Sequence, residues 1–193
     1  MSSSQEAATL PSPPPRERRW LPVLAISAVL VAVVSGGHLA ADALGRTRGA
    51  AVTVSPSVEI TPLPGWELAE RFADPPGVRL TKGGANLDVL TLPFTGSDVD
   101  LLAEYVQQVL EPDAEQLQVS EQLELVTLGS GLSGSRIAYV GLFGDVQAPV
   151  EGEVTAVVSP SGTGVLFDGW APAGQLQFAL DEVDAMIAST EIA

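Results

Sequence analysis

The chain contains no cysteine, and histidine and lysine occur once each. Without cysteine there is no disulfide framework, no thiol nucleophile, no cysteine-ligated zinc or iron–sulfur centre, and no residue to carry the lipid of a lipoprotein. The one histidine, His38, stands at the outer edge of an apolar run and reads as a solvated interfacial residue. Everything downstream of it therefore lacks the Ser-His and Cys-His forms of nucleophilic catalysis and the imidazole ligands usual for zinc. Positive charge is also scarce. Nine Lys and Arg stand against 24 Asp and Glu, for a formal net charge of -15. Such a chain repels phosphate backbones, so nucleic acid is excluded as a partner.

What is present divides into a tail, an apolar span, a linker and a domain. A length of 193 residues suits one core with a tail and an anchor. Residues 1–19 are rich in Ser, Pro and small side chains with little to bury, and read as a disordered cytoplasmic tail. Its Pro11-Ser12-Pro13-Pro14-Pro15 run reads as a spacer rather than a ligand. Residues 20–41 read as one transmembrane helix. Trp20 suits the interface, Pro22 falls in the first turn, and no charge appears before Asp42. At ~1.5 Å per residue, residues 21–41 reach roughly 30 Å, the thickness of a bilayer's hydrocarbon core. Arg16, Arg18 and Arg19 outweigh Arg46 and Arg48 on the far side, which keeps the N-terminus in the cytoplasm and places the rest outside. The alternative is a cleaved signal peptide, with Ala41-Asp42-Ala43 as the cleavage site and a secreted product. Against it, the apolar core exceeds the ~7–15 residues of a signal sequence.

Ala28, Ala32, Gly36 and Ala40 recur at every fourth position of the span. A stripe of small residues lets two membrane helices approach closely, so a homodimer through this face is one reading. Plain alanine richness is the other.

Residues 42–57 read as a linker and residues 58–193 as an extracytoplasmic domain. Short strand-like runs come first, punctuated by Pro64-Gly65, Pro75-Pro76-Gly77 and Gly83-Gly84. Residues 98–110 then change to helical spacing, with Leu102, Tyr105, Val106, Val109 and Leu110 on one face. A period of two returns at Leu117, Val119, Leu123 and Leu125, predicting one half-buried strand, and three further strands follow, the first two joined by a turn at Gly144-Asp145. Residues 174–190 are helical again, with Leu176, Leu180, Val183, Met186 and Ile187 as the buried stripe. The fold class is α+β: an antiparallel sheet flanked by two helices.

Candidate chemistry is sparse, and no catalytic, cofactor or metal residue is assigned. Asp98, Asp100 and Glu104 cluster at a helix start, but they lack the further ligands of a calcium loop and suit capping. The run Gly129-Ser130-Gly131-Leu132-Ser133-Gly134-Ser135-Arg136 lacks the Gly-Lys-Ser/Thr ending of a phosphate loop and reads as a turn. Carboxylate pairs for glycan hydrolysis are possible in so acidic a chain, with no particular pair singled out. Trp66 and Trp170 read as core or core-edge residues. Asp168 interrupts an apolar run. Period two puts it on the face of Leu166 and Trp170, opposite Val165 and Phe167. It is expected to bond backbone N–H groups of residues 169–174 and so fix a strand-to-helix turn.

The order of these elements resembles the PsbP-like fold found in photosystem extrinsic subunits and in envelope lipoproteins of the LpqN type. The resemblance is carried by Leu63-Pro64-Gly65-Trp66-Glu67, by the helix around Leu101–Leu110, and by the run from Gly162 to Leu176. It implies a non-enzymatic binding or accessory module of the cell envelope. The chain departs from the lipoprotein pattern in having an apolar span where the lipidated cysteine would be. With one lysine against eight arginines and abundant Ala, Gly, Val and Pro, it is similar to single-pass envelope proteins of actinobacteria.

Overall fold

The computed structural model describes residues 49–144 and 148–193. The predicted tail, the span with its Ala28, Ala32, Gly36 and Ala40 stripe, His38 and most of the linker lie outside the described residues. Among the described residues no helix is long and apolar enough to cross a membrane.

Eleven strands build two antiparallel sheets among the described residues. The larger takes β3 (Glu67–Ala73), β4 (Pro76–Lys82), β5 (Ala85–Pro93), β6 (Ala114–Val119), β7 (Glu124–Thr127), β8 (Ser133–Phe143), β9 (Val150–Val158) and β10 (Thr163–Pro172). Its order is β3-β4-β5-β10-β9-β8-β6, with β7 also on β8. The smaller joins β1 (Val52–Ser55), β2 (Val58–Ile60) and β11 (Glu191–Ile192). Each face of the large sheet carries a core. Val78, Leu80, Leu87, Val89, Val165 and Phe167 meet helix α3 (Leu180–Ala188), through Val183, Met186 and Ile187, and the small sheet, through Val58 and Ile60. On the opposite face Ile137, Val154, Ala156 and Leu166 meet helix α1 (Asp98–Tyr105). Strand β10 is covered on both sides, so its alternation divides apolar side chains between two cores rather than between core and water.

Helix α1 starts where the acids predict a cap. The Ser97 hydroxyl accepts from the Asp100 N–H at 3.1 Å, and the Asp100 carboxylate accepts from the Ser97 N–H at 2.9 Å. Asp98 instead accepts from the Ser135 hydroxyl at 2.7 Å, tying the helix start to β8. A π-helical turn (Val106–Leu110) and a short α2 (Glu111–Asp113) extend α1. Leu101 joins the buried stripe, while Val109 turns outward and is 39% exposed. Gly164 makes the close approach possible, since a Cβ there would fall 3.0 Å from Leu101 Cδ2.

Three expectations are corrected. The linker is shorter than residues 42–57, because Val52–Ser55 already pairs with β2 and buries Val54. The strand predicted through Leu117 and Leu125 is two strands. The Ser120 hydroxyl accepts from the Gln122 N–H at 3.1 Å and closes a turn between them. Leu125, opposite Ser135, keeps the α1 face of Leu117 and Val119, which stand opposite Gly141 and Tyr139, but it is 78% exposed, while Val126 turns to the core on the other face. The last helix also begins later than residue 174, with a 3-10 turn (Leu176–Phe178) before α3.

Candidate functional site

One transverse row of the large sheet gathers the charged groups of the α1 face. Arg79 on β4 stands opposite Asp88 on β5, and Asp88 stands opposite Asp168 on β10. Arg79 grips Asp88 with two bonds, Nε to Oδ1 at 2.6 Å and Nη2 to Oδ2 at 2.8 Å. It also reaches Glu70 at 3.4 Å, and its guanidinium sits over Phe72 at 5.3 Å and Trp170 at 5.5 Å. Trp170 donates its indole N–H to Asp88 at 3.3 Å. Trp66 is buried and donates to Glu182 at 2.7 Å, so both tryptophans occupy the predicted core and core-edge positions.

Asp168 shares the face of Leu166 and Trp170, as the period of two predicts, but its partners differ from those expected. It lies mid-strand, because β10 continues to Pro172 and the ladder already uses the neighbouring backbone groups. Its carboxylate accepts from two hydroxyls, Tyr105 of α1 at 2.7 Å and Tyr139 of β8 at 2.9 Å. Tyr139 stands two strands away from β10. Its ring reaches Asp168 by lying across β9 at Gly152, where a Cβ would fall on the ring and its hydroxyl. These are the chain's two tyrosines. A tyrosine facing a core needs a polar partner, and both meet the acid that interrupts the β10 apolar run. That was the signal in the sequence for this cluster.

Burial governs the titration here. It pushes the Asp168 carboxyl up to about 7, with the charge of Asp88 adding and the two tyrosine hydroxyls and Arg79 opposing. Burial, followed by the Asp168 charge, holds both tyrosines above their ordinary value. Near neutrality Asp168 is thus half protonated, while Asp88 is matched by Arg79.

Beside this row a cleft of about 530 Å3 opens between α1 and the sheet, walled by Phe72, Leu90, Leu92, Leu101 and Leu166. A second hollow of about 200 Å3 lies on the other side of Arg79, Tyr105 and Val109, reaching Tyr139, Phe143 and Val150. The walls are mainly apolar, with Arg79, Asp88 and Tyr105 also lining the cleft, and three acids are exposed at the rims, Asp74 and Glu104 at the cleft and Asp113 at the second hollow.

The remaining candidates resolve as structure. Arg136 lies in β8, past a turn at Gly129 and Gly131, and bonds Thr155, Glu153 and Asp184, which fastens α3 to the sheet. Lys82 of β4 pairs with Glu182 of α3 at 2.7 Å. Among the described residues no group of three or more His, Asp or Glu side chains could hold a metal ion.

No protein-family model and no curated protein matches the chain. Solved structures do, two of them as follows. Cyanobacterial PsbP (CyanoP) from Synechocystis sp. PCC 6803 superposes with a TM-score of 0.50 at 18% identity, over 71% of this chain and 87% of that one. LpqN of Mycobacterium tuberculosis, described as involved in cell envelope biogenesis, superposes with a TM-score of 0.54 at 15% identity, over 74% of this chain and 89% of that one. The described residues have the PsbP-like α+β fold, as the order of their elements predicts.

Proposed function

We propose that the chain is a membrane-anchored, extracytoplasmic binding or accessory module of the cell envelope, non-enzymatic, with the cleft beside α1 as its binding site. The apolar span at residues 21–41 and the arginines before it support the anchor and its orientation. The likeness in fold to LpqN, a protein of envelope biogenesis, supports the setting.

One observation carries the reading of the site. The buried polar groups at the cleft are spent on one another, Asp88 on Arg79 and Asp168 on two tyrosines, while the rest of the wall is mainly apolar. Such a site is built to hold a ligand rather than to transfer a proton. Filling the cleft by Val109→Trp and comparing co-purified envelope components with those of the parent chain tests it. Identical recovery from both overturns the assignment of the cleft. Protease protection in intact cells tests the topology, and N-terminal sequencing of the mature chain separates a retained anchor from cleavage near Ala43.

The facing pair Asp88 and Asp168 favours a second reading, a carboxylate-based hydrolase of envelope glycans. Release of reducing sugar from purified envelope glycan, abolished by Asp168→Asn in a chain that remains folded, would establish it in place of the first.

A further inference from the structure

The cleft's charge selects among ligands, and this inference rests on the cleft being the binding site. Arg79 is the cation lining it among the described residues, and its charge is matched by Asp88 and Glu70. Its guanidinium is held by Asp88 through two bonds and by Glu70, and is sandwiched between Phe72 and Trp170. An anionic ligand would have to compete with Asp88 and Glu70 for that one cation. Asp74 and Glu104 at its rim have no cationic partner among the described residues and are both exposed. Negative charge at the mouth of a low-dielectric cleft attracts cations and repels anions, and the net charge of -15 adds to the same field. Inside, Leu90, Leu92, Leu166 and Phe72 offer only apolar surface. The volume of about 530 Å3 falls in the range of small-molecule sites, roughly 300–1,000 Å3.

We propose that the cleft binds a small hydrophobic cation, its apolar body between α1 and the sheet and its ammonium or guanidinium group at the rim formed by Asp74 and Glu104.

Three probes of equal length isolate the head group: hexylammonium, hexanol and hexanoate. They are titrated into the full chain in uncharged phosphatidylcholine nanodiscs, with the methyl resonances of Leu90, Val109 and Leu166 as the readout. Hexylammonium should bind about tenfold more tightly than hexanoate at low salt, with hexanol between them, and the difference should shrink at high salt. Asp74→Asn with Glu104→Gln, both at exposed positions, should weaken hexylammonium about fivefold and leave hexanol unchanged. Val109→Trp should weaken all three, which partition into the bilayer would not do. Hexanoate binding as tightly as hexylammonium overturns the cation while leaving the cleft a binding site. Failure of all three to move these methyls overturns both. A basic peptide such as acetyl-Leu-Lys-Leu-amide binding far more tightly than hexylammonium overturns the small-molecule class in favour of a protein partner.

Discussion

Tyr139 reaches Asp168 across Gly152, and the hydrogen bond at 2.9 Å exists because β9 has no side chain at that point. The same acid receives Tyr105 from α1, so a single carboxyl joins helix, β8 and β10 on one face of the sheet. The helix is thereby fixed over the row that borders the cleft.

Gly152→Ala should be among the more damaging small substitutions. The added methyl has no room beneath the ring, so Tyr139 must swing away and leave one oxygen of Asp168 without its donor. Overpacking and a lost buried hydrogen bond together cost about 2 to 4 kcal/mol. Urea unfolding checks this, and Gly152→Ala combined with Tyr139→Leu should recover part of the loss.

Asp168→Asn should stabilise the domain at high pH only. The folded carboxyl titrates at about 7, above its ordinary value of 3.8, so burial favours the protonated form. Below about pH 4 the acid is protonated in both folded and unfolded chains, and its contribution is fully present. That contribution is lost as pH rises toward 7, by on the order of 4 kcal/mol, and is constant above it. Because asparagine cannot ionise, the stability difference between variant and parent should grow between pH 4 and 7. Unfolding curves at several pH values measure it, and a difference independent of pH would contradict the burial argument.

Tyr105→Phe keeps the ring in the helix–sheet core and removes one donor to Asp168. The hydroxyl favours the ionised carboxyl, so its loss should push the Asp168 titration further up. Stability should fall by about 1 to 3 kcal/mol, more at pH 8 than at pH 5. Carboxyl-carbon NMR titration reads the first effect and denaturant unfolding the second.

The two ion pairs that hold α3 should behave differently. Arg136 is buried, and Arg136→Ala abandons Glu153 and Asp184 while opening a gap above Thr155, at a cost of about 3 to 5 kcal/mol. Lys82 and Glu182 have side chains 38% and 37% exposed. Lys82→Met retains the apolar stem and should cost less than about 1 kcal/mol, because water already screens the pair. Parallel thermal melts of the two variants compare them directly.

Local pattern was enough to place many of these residues. Period two in β10 assigned Asp168 to the face of Leu166 and Trp170, and the stripe of α1 put Leu102 and Tyr105 against the sheet. The acids before α1 announced its cap, and the glycine turns at Gly65 and Gly83 fell where positive φ requires them. Such features depend on neighbours a few residues away, which is the range over which periodicity and turn chemistry act.

The tertiary structure decided what depends on distant partners. Val52–Ser55 is a strand because β2 lies beside it, and β2 in turn receives β11 from the other end of the chain. A four-residue turn after Val119 splits the predicted strand in two, and Leu125, though it keeps the α1 face of Leu117 and Val119, is left exposed. Asp168 was expected to bond its own turn, because short acidic side chains favour local backbone partners. Instead the ladder occupied the backbone, and two tyrosines 63 and 29 residues away supplied the hydroxyls. Composition and spacing determined the fold class and the absence of thiol and imidazole chemistry in the domain; packing across β9 decided which acid would be buried, and who would hold it.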